Sequence, residues 1–107
     1  MKLNLYSKSR DGILYSAKAV YDDGKVTVLK GSRINNKPSI GYKPRKKVEI
    51  LMNDRSKIDD KGNVLEDVIF NSLSTAATFV TGRSANGMIV WKTLDGKNVR
   101  DTLKMNV

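Results

Sequence analysis

Ile13-Leu14-Tyr15-Ser16-Ala17-Lys18-Ala19-Val20-Tyr21-Asp22-Asp23-Gly24-Lys25-Val26-Thr27-Val28 is the stretch on which the fold class turns. Ile13, Tyr15, Ala17, Ala19 and Tyr21 recur at every second position, as do Val26 and Val28. A period of two puts successive side chains on opposite faces of a strand, and Asp-Gly between two such runs signals a two-residue hairpin turn. With Asp23-Gly24 as the loop, Tyr21 faces Val26 and Ala19 faces Val28. One face is then apolar, and Lys18 and Thr27 lie on the other. Leu3 and Leu5 are placed to add an edge strand.

Downstream the period changes. Gly31 to Tyr42 holds Gly, Asn, Pro and Ser without an apolar repeat and reads as a long loop. Pro44 suits the first position of a helix, because its fixed φ fits there and its missing N–H would have had no partner. Val48, Leu51, Met52 and Arg55 follow at one-face helical spacing with Ile50 beside them, and Asp59 to Asn63 closes this unit as a loop. Val68-Ile69-Phe70 reads as a short buried strand. Ser72 is placed to cap a second helix whose stripe is Leu73, Ala76, Ala77 and Val80, and Gly82 supplies the left-handed residue that ends it. A polar turn, Arg83 to Gly87, leads into the apolar run Met88-Ile89-Val90-Trp91, read as a strand with Trp91 in the core. Asp95-Gly96 is a further turn, and Lys97 to Leu103 fits either a strand or a short helix. The expected fold is α+β: a small antiparallel sheet of hairpins packed with two helices, one domain over residues 1–107.

A chain of 107 residues buries roughly 65% of its unfolded surface around one core and is too short for two. Cys and His are both absent, which removes the disulfide framework, the thiolate nucleophile and the commonest acid/base and metal-ligating side chain. No catalytic residue, metal or cofactor is expected. The first residues, Met1 to Lys8, lack a continuous apolar stretch, and no segment approaches the ~20 apolar residues of a membrane span, so a soluble cytoplasmic protein is expected.

Twenty basic and eleven acidic side chains give a formal net charge of +9. Between Asp23 and Glu49 there is no carboxylate, while Lys25, Lys30, Arg33, Lys37, Lys43, Arg45, Lys46 and Lys47 all fall in that interval. Such a run repels itself unless counter-ions or a polyanion neutralise it. Arg45, Lys46 and Lys47 also occupy a first helical turn, where cations oppose the helix dipole, so local stability does not account for them. A solvated basic loop and a phosphate-binding surface both fit the composition.

The pairs Asp22-Asp23, Asp59-Asp60 and Glu66-Asp67 resemble halves of a carboxylate metal site, and Asp-x-Lys occurs at Asp23, Asp59 and Asp95. Every copy lies in or beside a turn, where Asp is common for backbone reasons, and that reading is preferred. A helix-turn-helix over Ser72 to Gly87 fails because the residues after Gly82 leave no room for a recognition helix.

Gly82-Arg83-Ser84-Ala85-Asn86-Gly87, with Trp91-Lys92 after it and Ser72-Leu73-Ser74-Thr75-Ala76-Ala77 and Val28-Leu29-Lys30-Gly31-Ser32 before it, carries a family resemblance. The chain resembles the uncharacterised domain found at the C-terminus of GIY-YIG nucleases and restriction-system proteins, and is similar to the RAMA domain of restriction enzymes and adenine methylases. Met88 stands where that family usually has Trp, and Leu73 where it usually has Pro. The resemblance implies an α+β accessory module that binds DNA and has no activity of its own.

For Arg83, Ser84 and Asn86 two readings stand. In one, Gly82 and Gly87 take positive φ, Asn86-Gly87 forms a turn and Ser84 bonds nearby backbone. In the other, Arg83 and Asn86 meet phosphate or a base edge. The expected function is that of a DNA-binding accessory module of a restriction-modification or mobile-element system. Its expected contacts with duplex DNA are Arg33, Lys37, Lys43, Arg45, Lys46, Lys47, Arg83, Ser84, Asn86 and Lys92. The alternative is a module that docks on an acidic protein partner, steered by the same charges. Neither reading involves a membrane or fixes an oligomeric state.

Overall fold

The computed structural model describes residues 2–37 and 46–105, and the side chains of these up to Thr102. The hairpin is where the alternation puts it. Strands β2 (Ser16–Asp22) and β3 (Lys25–Val28) pair Tyr21 with Val26 and Ala19 with Val28. Asp23 and Gly24 sit at φ 52° and 80°, the two positive values of a type I′ turn, whose twist matches that of the flanking strands. Strand β1 (Lys2–Lys8) pairs along its whole length with β2, and β4 (Val68–Phe70) extends the sheet beyond β3. A two-residue strand, β5 (Lys92–Thr93), lies on the far side of β1, so β1 is not the edge expected of it. The antiparallel order is β4-β3-β2-β1-β5.

Registered pairs sort the sheet into two faces. Leu5, Ala19, Val28 and Val68 form one row across it, and Leu3, Tyr21, Val26 and Phe70 the next. These rows are covered by helix α2 (Leu73–Thr81), which packs across β2, β3 and β4. Ala76 and Ala77 let its backbone approach the sheet, and the rings of Phe70 and Phe79 meet at 5.0 Å and 46°. Burying each Phe contributes about 3 kcal/mol of transfer free energy. The helix ends are as the sequence indicates. Ser72 Oγ accepts the Thr75 N–H at 3.1 Å, and Gly82, at φ 71°, donates its N–H to the Thr78 carbonyl.

The first helix, α1 (Lys46–Met52), leans on α2 and buries Val48 and Met52. Leu51 packs half-buried on the same core, Ile50 stays 59% exposed, and Arg55 lies beyond the helix in a turn, so the expected one-face stripe holds as far as Met52. The expected helix start at Pro44 lies outside the described residues. Ile13 is likewise outside β2 and 67% exposed, because Ser9 and Asp11 fold residues 9–15 into a turn that ends on buried Tyr15.

Two further expectations change. Met88-Ile89-Val90-Trp91 is not a strand: Gly87–Val90 forms a single helical turn, α3. The Asn86 side chain accepts the Met88 N–H at 3.0 Å, and that cap nucleates the turn. Trp91 is fully buried as expected, with its indole N–H on the Leu73 carbonyl at 3.2 Å. At four residues α3 is too short for a recognition helix. Gly87 is not a positive-φ residue either; a Cβ there would collide with the Leu73 carbonyl and the Ser74 nitrogen, so close backbone approach selects glycine. Of the two readings for Lys97 to Leu103 the helix is realised, as α4 (Val99–Met105), with Asn98 Oδ1 accepting the Asp101 N–H.

The expected loop from Gly31 is an anchored crossing as far as Lys37, and its remainder lies outside the described residues. Ile34 is 1% exposed and belongs to the core. Arg33 bridges Ser16 on one side and Asn63 on the other. Among the described residues no helix is long and apolar enough to cross a membrane.

Candidate nucleic-acid interface

The crossing segment positions the first cations. The backbone N–H and C=O of Arg33 bond Ser16 at 2.8 and 2.9 Å, and its guanidinium donates to the Ile13 carbonyl at 3.0 Å. Asn35 then latches onto the end of α2: its N–H reaches the Val80 carbonyl and its Nδ2 the Thr81 carbonyl. Its side-chain oxygen accepts the Lys37 N–H at 3.1 Å. A Cβ on Gly82 would lie 2.8 Å from the Asn35 carbonyl oxygen, so the junction is tight. Exposed Lys37 and exposed Arg83 therefore flank one corner, at the negative end of the α2 dipole.

Lys46 and Lys47 are exposed in the first turn of α1, and Lys47 Nζ lies 5.8 Å from the centre of the Phe70 ring. Lys43 and Arg45 lie outside the described residues. Lys92 is on β5, at the opposite edge of the sheet from the Phe70 strand, about 19 Å away over four strand spacings. The ten expected contact residues thus do not all share one patch.

Nor do Arg83, Ser84 and Asn86 form one tight cluster. Arg83 follows the C-terminus of α2, whereas the Gly87 N–H reaches Ser74 Oγ at the N-terminus of the same helix. The segment between them runs back along α2, a helix about 13 Å long. Asn86 Oδ1 is engaged as the α3 cap rather than in an Asn86-Gly87 turn, and Arg83 and Ser84 remain exposed.

Four carboxylates, Asp11, Asp54, Asp59 and Asp95, are held by their own turns. Asp11 accepts from the Ile13 N–H and Ser9 Oγ, Asp54 from the hydroxyl and N–H of Ser56, and Asp59 from the side chain and N–H of Asn63. Asp67 accepts the Lys30 N–H, and Asp95 the Thr93 hydroxyl. The Ile13 N–H with Ser9 lowers the pKa of Asp11, the Ser56 hydroxyl that of Asp54, the Asn63 amide that of Asp59 and the Thr93 hydroxyl that of Asp95. The pairs and triplets that mimic a metal site lie in or beside turns and bends, and among the described residues no three carboxylates gather where an ion would sit. An ion pair joins Lys57 to Glu66 at 2.7 Å. Lys25, Lys30, Arg33, Lys37, Lys46 and Lys47 are exposed and have no ion-pair partner among the described residues.

A further basic surface went unread in the sequence. The sheet face turned away from α2 carries Lys2, Lys8, Lys18, Lys25 and Lys92 against one carboxylate, Asp22. On it Tyr6 is half-buried, with Lys18 directly opposite on β2 and Lys92 directly opposite on β5. The signal was the alternation of Lys2, Asn4, Tyr6 and Lys8 with Leu3, Leu5 and Ser7. Two shallow clefts open at the Lys8 end: one of about 220 Å³ lined by Tyr6, Lys8, Ser9, Arg10, Val90 and Lys92, the other of about 240 Å³ lined by Ser16, Lys18, Lys30 and Ser32.

Neither the curated proteins nor the solved structures yield a significant match to this chain. One family model does match, over residues 5–103, a span that holds the whole sheet from Leu5 onward together with α2, α3 and their connecting segment. The chain belongs to the family described as Domain of unknown function (DUF4357).

Proposed function

We propose that the domain is a non-catalytic DNA-binding module that holds duplex DNA by its phosphates through Arg33, Lys37, Lys46, Lys47 and Arg83. One observation carries the reading: Asp11, Asp54 and Asp59 are tied into their own turns and Asp67 accepts the Lys30 N–H, while Lys25, Lys30, Arg33, Lys37, Lys46 and Lys47 of the acid-free interval stand exposed without ion-pair partners among the described residues. A surface in that state lowers its self-repulsion by taking up a polyanion, and released counter-ions supply much of the affinity. The resemblance to domains of GIY-YIG nucleases, restriction-system proteins and the RAMA domain adds the context, an accessory role in restriction-modification or mobile-element systems. A second reading, docking on an acidic protein, is favoured by Ile50, an exposed apolar side chain one turn from Lys46 on α1.

The test is a fluorescence-anisotropy titration of labelled duplex DNA at low salt with the wild-type domain and with Lys46→Glu/Lys47→Glu. Binding that the double reversal weakens at least tenfold is the expected result. Absence of binding by the wild-type domain removes the reading.

A further inference from the structure

We infer that the open face of the sheet binds single-stranded nucleic acid, with a base stacked on Tyr6 and the adjoining phosphates held in the two basic clefts at the Lys8 end. The inference shares with the proposed function the premise of a polyanionic partner, but it uses the side of the sheet away from the helices.

Charge selects the class of occupant. Lys2 and Lys25 flank Asp22 in one cross-strand row, so that end is partly compensated. The other end holds Lys8, Arg10, Lys18, Lys30 and Lys92, and no carboxylate lines either cleft. Of the acids beside them, Asp11 is occupied by Ser9 and the Ile13 N–H, and Asp67 accepts the Lys30 N–H. The clefts adjoin through the registered pairs Lys8–Ser16 and Tyr6–Lys18, on strands about 4.8 Å apart, so a chain lying across β1 and β2 meets both.

The aromatic ring selects the form of the nucleic acid. Tyr6 lines the first cleft between cations, recessed in the sheet rather than raised above it. A duplex keeps its base faces stacked on one another and presents only phosphates and groove edges, so it has no use for a ring there. A single strand offers both a phosphate chain and free base faces, and aromatic side chains among cations on a rigid sheet are the usual means of holding it. Tyr6 is rigidly placed: β1 is hydrogen-bonded on both sides at this residue, to β2 and to β5.

The experiment uses the domain with a labelled oligothymidylate of about 12 nucleotides, followed by anisotropy across a salt series, with the labelled duplex run in parallel. Tyr6→Leu should weaken binding about tenfold, since one base stack is lost, while Tyr6→Phe binds like the wild type. Lys8→Gln/Arg10→Gln/Lys92→Gln should flatten the log–log salt slope by about 2, at roughly 0.7 per phosphate contact. Arg55→Gln, an exposed charge in the turn after α1, the helix that packs on α2, should leave it unchanged. All three lysine and arginine positions of the triple variant are exposed, so it tests the idea even if Tyr6→Leu loosens the fold. A wild-type domain that ignores the single strand, or one whose affinity and slope survive the triple variant, overturns the inference. The duplex titration decides the proposed function separately, because loss of duplex binding with retained single-strand binding leaves this surface standing.

Discussion

Gly87→Ala is the substitution whose cost can be worked out most fully from the structure. The added methyl group points at the carbonyl of Leu73 and the nitrogen of Ser74, backbone atoms fixed in the first turn of α2, so no side chain can swing aside. Relief requires α3 to move away from α2. That movement stretches two bonds, from the Gly87 N–H to Ser74 Oγ at 3.2 Å and from the Trp91 indole to the Leu73 carbonyl at 3.2 Å, the second of them fully buried. Overpacking costs about 1–3 kcal/mol and a buried donor left without its acceptor about 1–3 kcal/mol more. Alanine in place of glycine in a helical turn returns up to about 1 kcal/mol. The net destabilisation is about 3 kcal/mol, which for a domain of this size lowers Tm by roughly 12–20 °C. Urea denaturation followed by far-UV circular dichroism measures it. Gly87→Asn is the companion variant: Asn tolerates positive φ, so a turn glycine would accept it, whereas a close-approach glycine rejects it as it rejects Ala. Wild-type stability in either variant would refute the close-approach account of this glycine.

Ser72→Ala removes the acceptor for the Thr75 N–H and should cost about 1 kcal/mol, read as a lower urea midpoint with an unchanged slope. Phe79→Ala empties the space between α2 and the Phe70 ring and should cost about 3–5 kcal/mol by the same measurement. Acid should weaken the fold in a defined direction. The pKa values of Asp11, Asp54, Asp59 and Asp95 are depressed, so their contributions are present above the unfolded aspartate value near 3.9 and fade as pH falls through the lower folded values. A series of urea melts between neutral pH and pH about 2 should show the decline confined to the acid end, and Asp59→Asn should make it shallower.

The sequence shows most of this fold where two independent signals agree. In the first hairpin a period of two coincides with Asp23-Gly24, which fixes the turn type and hence every cross-strand pair. In α2 the apolar stripe is bracketed by Ser72 and Gly82, so both ends are fixed by local hydrogen bonding. Where only one signal is present the reading fails. Met88-Ile89-Val90-Trp91 is apolar throughout, a pattern shared by a buried strand and a single helical turn, and the deciding contact is the Asn86 side chain on the Met88 N–H. Ile34 has no apolar neighbour at a regular interval, and its burial depends on backbone bonds to Gly62 and, through Asn35, to Val80.

The candidate site was legible as charge and not as geometry. The described cations of the acid-free interval stand exposed, because an exposed lysine needs no partner to be tolerated. Convergence depends on which strands neighbour each other, and the order β4-β3-β2-β1-β5 separates Lys92 from Lys47 while bringing Lys18 and Lys92 to either side of Tyr6. Asn86 carried both a structural and a ligand reading, and its Oδ1 takes the Met88 N–H as a helix cap. Among the carboxylates that looked like fragments of a metal site, Asp59, Asp67 and Asp95 accept backbone N–H groups and Glu66 pairs with Lys57.

Exposed cations without ion-pair partners among the described residues are available to a polyanion. The most direct test of this is the salt dependence of binding to labelled duplex DNA. With about five phosphates neutralised, at roughly −0.9 per contact, a plot of log affinity against log salt should fall with a slope near −4.5. A flat line, or no complex at the lowest salt, would contradict it.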